Sequence, residues 1–209
     1  MNNRLSKISR IIFPNKRINI FVICMLILGV IAGAIFVNII GLNDKNLILD
    51  KIRLFIDNIN TSKYNSIGLF KNSFYINSLY ILIIFILGMS MIGIIFNLCL
   101  LFFKGFIFGF TIGSFILTYR YKGIILSILY LLFGQLLNIF AILVISIYSI
   151  IFSYELLKLL FKNNNFSIKN KFKNYFLILI FLIIISIISS LCESFILPSL
   201  IKLLIKLFK

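Results

Sequence analysis

The 209-residue sequence contains no histidine. That absence removes Ser-His-Asp and Cys-His catalysis and every histidine-based metal site. Acids are scarce as well: Asp and Glu together number 5, against 21 Lys and Arg. So few carboxylates argue against a metal–carboxylate centre. The cysteines, Cys24, Cys99 and Cys192, fall inside hydrophobic stretches without metal-ligand spacing. They read as small apolar packing residues and say nothing about redox compartment. No nucleophile–base pair can be assembled, so no enzyme activity and no cofactor are expected.

Apolar residues fill the chain instead. Hydrophobic residues make up 62% of it, and the mean hydropathy is +1.15. No soluble domain of this size can hide that much apolar surface, so the expected fold is an all-α, polytopic membrane helix bundle. The formal net charge is +16. In a soluble protein such a charge would raise the question of nucleic acid. Here the Lys and Arg flank apolar runs, where they anchor to anionic headgroups of the lipid bilayer. The abundance of Asn, Lys, Ile and Phe matches the codon bias of an AT-rich genome, which discounts any single Lys as a functional signal.

In chain order, residues 1–17 form a basic tail without acids, which the positive-inside rule places in the cytoplasm. A first span covers about 18–42 and is too long for a signal-peptide core. Its Gly29 and Gly33 make a GxxxG pair, a generic helix contact or a homo-oligomer motif. Residues 43–73 form an outer polar loop. Within it Ile48, Ile52, Phe55, Ile56 and Ile59 make a helical stripe, while Asp50, Arg53 and Asp57 mark another face. That pattern predicts an amphipathic helix, capped by Asn43 or Asp44, that either shields the bundle or docks a partner. A second span lies within 75–103, about 43 Å long as a helix against a hydrocarbon core of roughly 30 Å.

Lys104 then precedes a run with Gly105, Gly109 and Gly113 at every fourth position. On a helix these share one face, each at a cost of roughly 1 kcal/mol relative to alanine. Close approach by a neighbouring helix is the usual compensation in lipid, with a lined cavity or ligand site as the alternative. This predicts a short third span over 105–119, the alternative being a segment that enters the membrane and returns without crossing. Segment 123–161 is long for one helix and is interrupted by Gly134, Gln135 and Asn138; it predicts a kinked element crossing once, with both amides facing the bundle. A basic loop with an Asn-rich turn at 163–165 comes next. The last span, 175–197, carries Ser186, Ser190 and Ser194 at every fourth position, a candidate mating stripe for the glycines. Glu193 shares the face of Ser189 and Ser190. Its bland reading is a neutral, protonated Glu hydrogen-bonded to those serines, or one near enough the outer interface to stay hydrated; its sharper one is an intramembrane functional carboxylate. Pro198 is expected to close the helix, and 199–209 to form an interfacial helix. Counted over the whole chain, Lys and Arg are nearly balanced across the two sides, 11 inside and 10 outside, so the acid-free tail and the basic loop are the better guides to orientation.

The basic tail, one span, an outer polar loop and then Lys104-Gly105-Phe106, Gly109-Phe110-Thr111 and Gly113 together resemble the stage II sporulation protein M family. The region around Gly123 and Gln135–Asn138 is similar to that family's next block, and Cys192-Glu193-Ser194-Phe195 with Pro198 to its C-terminal block. The resemblance runs from about residue 10 to 207. It implies a non-enzymatic scaffold of endospore formation, in the mother-cell and septal membrane, acting in engulfment of the forespore. It also implies partners: stage II sporulation proteins D and P, which degrade or remodel peptidoglycan. The alternative reading, motivated by Gln135, Asn138 and Glu193, is a small transporter or channel subunit.

Overall fold

The computed structural model describes residues 15–61, 64–161 and 168–207. The basic tail up to residue 14 and the Asn-rich turn at 163–165 lie outside the described residues. The described residues are 94% helical and contain no strand. Five stretches are long and apolar enough to cross a membrane.

Helix α1 (Lys16–Ile39) starts where the Asn15 side chain accepts a hydrogen bond from the Arg17 amide. Val22, Leu26, Gly29, Gly33 and Val37 turn inward at spacings of three and four, while Ile20, Ile27, Ile31 and Ile35 remain exposed. An apolar outer face is what a lipid-facing helix presents.

Helix α2 (Leu42–Asn60) begins almost at once. Gly41 precedes it without a side-chain cap, so neither Asn43 nor Asp44 caps it; Asp44 sits in the first turn, where an acid favours the helix dipole. Helix α3 (Ser66–Gly88) is capped by Asn65, whose side chain accepts from the Gly68 amide at 3.1 Å. The expected outer loop 43–73 is therefore helix α2 plus the opening turns of α3.

Helix α4 (Gly93–Tyr119) begins after a break at residues 89–92. The boundary between the second and third spans thus lies at that break, not at Lys104, and 105–119 is the second half of a full-length helix. Hydropathy misses the break because Met89, Ser90, Met91 and Ile92 are nearly as apolar as their surroundings. The break is built from polar contacts instead. Ser149 Oγ donates to the Ile84 carbonyl, Tyr175 OH to the Phe85 carbonyl, both at 3.1 Å, and Ser153 Oγ to the Ser90 carbonyl. The Phe85 carbonyl is one that the helix end leaves without its amide, since the Met89 amide turns to Ile86 and Leu87; the two serine hydroxyls add a cross-helix bond to the Ile84 and Ser90 carbonyls. Gly88 is required there, since a Cβ would overlap Ser149 Oγ and Tyr175 OH.

Arg120 alone joins α4 to α5 (Tyr121–Leu129), with a positive φ of 49°. Gly123 lets the returning helix lie against the Phe115 carbonyl. A π-helical turn, Tyr130–Gln135, leads into α6 (Leu136–Phe161), so the kink falls where Gly134 and Gln135 interrupt the pattern. Helix α7 (Ile168–Leu191) continues through a second π turn, Cys192–Ile196, into α8 (Leu197–Leu207). Pro198 therefore sits inside a continuing helix and does not close it. The Leu197 amide bonds to the Cys192 carbonyl, five residues back, and the wider turn makes room for the proline ring.

Two apolar cores result. At one end Ile56 and Ile59 of α2 pack with Phe115, Leu126, Leu197 and Ile201. On the other side of the bundle Leu101, Ile142, Ile145, Tyr175 and Leu182 belong to the larger core. Glu155 and Lys171, 2.5 Å apart, tie α6 to α7 at the end away from α2.

Candidate functional site

Between the two cores lies a closed ring of polar side chains. Glu193 accepts from Gln135 Nε2 at 2.8 Å and from Ser73 Oγ. Asn77 Nδ2 donates to Ser73 Oγ at 3.4 Å. Asn138 Nδ2 donates to Asn77 Oδ1 at 2.7 Å and to Gln135 Oε1 at 3.2 Å, which completes the circuit. The ring draws on α3, α6 and both π turns. Asn77, Gln135 and Asn138 are buried, and Asn138 Oδ1 has no hydrogen-bond partner among the described residues.

The π turns explain how the ring forms. Each adds a residue to one helical turn and shifts the facing of the residues after it. The first contains Gln135 and the second Glu193, and the two turns pack against each other. Sequence reasoning places Glu193 on the serines of its own helix. The structure pairs it instead with Ser73 and Gln135 of other segments, because the π turn breaks the fourfold spacing at Cys192. Ser194 Oγ bonds back to the Ser190 carbonyl, and Ser189 Oγ reaches the Gly134 carbonyl at 3.4 Å. Ser186 and Ser190 are buried with unpartnered hydroxyls among the described residues.

The serine stripe is not what fills the glycine face. Gly105 and Gly109 lie on α1, where a Cβ would overlap the carbonyls of Leu26 and Val30. Gly29 and Gly33 of α1 answer with the same closeness to the Phe102 and Phe106 carbonyls. Gly113 has ordinary contacts, 3.4 Å to Ala34 Cα. The GxxxG pair of the first span is thus consumed within the chain.

Lys104, like Ser73 and Asn77 of the ring, is a residue that sequence reasoning missed. It looked like a flanking charge, one of many lysines; it is 6% exposed in the middle of α4. Its Nζ lies 5.0 Å from the Tyr80 ring centre and 5.2 Å from that of Phe108. Such cation–π contacts return about 0.5–2 kcal/mol, less than the ~2.5–3.5 kcal/mol of placing a charge at the centre of a membrane helix. Lys104, Glu193, Gln135, Asn77 and Ser73 share a cavity of about 250 Å³, with Phe55 of α2 also on its lining. The signal for Lys104 was its position twelve residues beyond a concealed break.

Asp50, Arg53 and Asp57 lie elsewhere, on the exposed face of α2, with Arg53 Nη1 3.7 Å from Asp50 Oδ1. Among the described residues no group of three or more Cys, Asp or Glu is placed to hold a metal.

Searches of curated proteins and of solved structures find no match. The model of the family described as "Stage II sporulation protein M" matches residues 21–198. That interval includes both glycine pairs, the helix break, every member of the polar ring and Pro198. The chain belongs to the stage II sporulation protein M family, and is a multi-pass membrane protein related to sporulation.

Proposed function

We propose that the chain is a non-enzymatic scaffold, holding peptidoglycan-remodelling proteins at the septal membrane for engulfment of the forespore. By family resemblance those partners are stage II sporulation proteins D and P. The observation that carries this reading is the seating of α2. Ile56 and Ile59 fix the helix to the end of the bundle, while Asp50, Arg53 and Asp57 point to solvent. A pre-ordered surface helix binds with a smaller ordering cost than a flexible loop. With the basic N-terminus in the cytoplasm, α2 lies on the outer side, where peptidoglycan partners are.

The test is charge reversal on that face, as Asp50→Lys, Arg53→Glu and Asp57→Lys together. Deletion of 43–73 is the wrong probe, since it also removes Ile56, Ile59 and Ser73 from the packed bundle. The triple variant should reach wild-type membrane levels yet lose septal recruitment of a fluorescent partner hydrolase. Undiminished recruitment counts against the scaffold.

One feature favours the alternative of a transporter or channel subunit, the buried polar ring beside Lys104. A through-path would have to continue past Asn138, where the fully buried Ala141, Ile142 and Ile145 belong to the apolar core. Under the alternative, Glu193→Gln abolishes solute flux in proteoliposomes; under the scaffold reading partner binding is unchanged.

A further inference from the structure

We propose that the cavity beneath α2 is a binding site for a small zwitterion of amino-acid size, with its carboxylate on Lys104 and its ammonium on Glu193.

Both charged residues have unused bonding capacity. An ammonium carries three donors and no acceptor. Lys104 meets two aromatic faces, but no hydrogen-bond acceptor or ion-pair partner is in range of its Nζ among the described residues. It is nine-tenths buried and lines the cavity. A carboxylate offers about four lone-pair sites. In Glu193 each oxygen takes one donor, from Gln135 and from Ser73, which leaves room on both.

Lys104 and Glu193 line the same cavity without closing to an ion pair within 4.0 Å. Ser73 and Gln135 hold the carboxylate in the ring, and the rings of Tyr80 and Phe108 flank the ammonium. Between them is a volume of about 250 Å³ with an apolar rim that includes Phe55, Ile107 and Leu197. That lies below the range of drug-sized ligands and admits a molecule of amino-acid size.

Charge balance selects the ligand class. A lone anion would face Glu193 at close quarters, and a lone cation would face Lys104. Like charges are costly in a low-dielectric site. A neutral molecule with one charge of each sign complements both walls and adds no net charge. The polar ring then has a purpose beyond packing, which is to hold Glu193 turned to the cavity. The site does not depend on the scaffold reading, and it is tested on purified protein without any partner.

The experiment is equilibrium dialysis of the full chain in detergent, in a buffer without amines or carboxylates, against radiolabelled glycine and L-alanine. Saturable binding near one molecule per chain is expected. Unlabelled glycine should compete at concentrations at least tenfold below those needed for acetate or ethylammonium. Glu193→Gln, which keeps a hydrogen-bonding side chain in the ring, and Lys104→Met should each weaken binding at least tenfold. Failure of the wild type to bind either amino acid overturns the proposal. So does competition by acetate or ethylammonium as effective as that by glycine, or full binding by both variants. If a variant does not fold, the wild-type isotherm and its competition series decide alone.

Discussion

Gly109 of α4 rests against the Val30 backbone of α1 so closely that a Cβ would overlap the Val30 carbonyl oxygen. Gly33 does the same toward Phe106 from the other side, so the two helices interlock through four glycines. In lipid there is little hydrophobic force between helices, and such backbone contact is what holds them together. The glycine run is therefore a joint to the first span.

Gly109→Leu should lower the amount of folded protein. Overpacking usually costs about 1–3 kcal/mol, and here the obstacle is backbone that cannot rotate away, so the effect belongs at the top of that range. Gly113→Ala is the control, because its nearest contacts are already at an ordinary 3.4 Å. Size-exclusion profiles and thermal unfolding in detergent should separate the two. A monodisperse Gly109→Leu protein as stable as wild type would contradict the joint.

Removal of Glu193 should expose the ring's dependence on it. Glu193→Ala leaves Ser73 and Gln135 without an acceptor at that point. Each orphaned polar group costs about 1–3 kcal/mol when buried, at the lower end if membrane reference states find other partners. Glu193→Gln keeps an acceptor oxygen and should cost under about 1 kcal/mol. A double-mutant cycle between Glu193→Ala and Gln135→Ala should show coupling, because the two share a bond. Additive effects would mean that the ring is not a unit.

The orientation rests on the basic tail and is open to chemical labelling. In a variant lacking the three cysteines, Asp57→Cys should react with a membrane-impermeant maleimide in intact cells. Lys169→Cys, exposed at the opposite end of the bundle, should react only after permeabilisation. The reverse pattern would invert the topology and move α2 to the cytoplasm.

Much of the fold was legible in the sequence for a simple reason. Helices long and apolar enough to cross a bilayer leave a hydropathy signal, and the interruption at Gly134 and Gln135 coincides with a π turn. The break at 89–92 was not legible, because hydroxyls of Ser149, Ser153 and Tyr175, remote in sequence, bond to its carbonyls. That one hidden turn displaced Lys104 from the expected edge of a span to the middle of helix α4. Pro198 misled in the same way: a π turn upstream absorbs the ring, and a local rule for helix ends does not see it. Of the site, Gln135, Asn138 and Glu193 stood out as polar groups in apolar runs. Ser73 and Asn77 did not, since nothing local distinguishes a serine that meets a carboxylate 120 residues away.

The most direct test of the scaffold is a photo-crosslinking amino acid placed at position 50 or 53 on the outer face of α2, activated in sporulating cells. A scaffold should give a crosslinked product that contains a peptidoglycan-cleaving partner, absent when the probe sits at the lipid-facing position 31 of α1. Crosslinks from α2 to a nucleotide-binding subunit, or none from α2 at all, would contradict it.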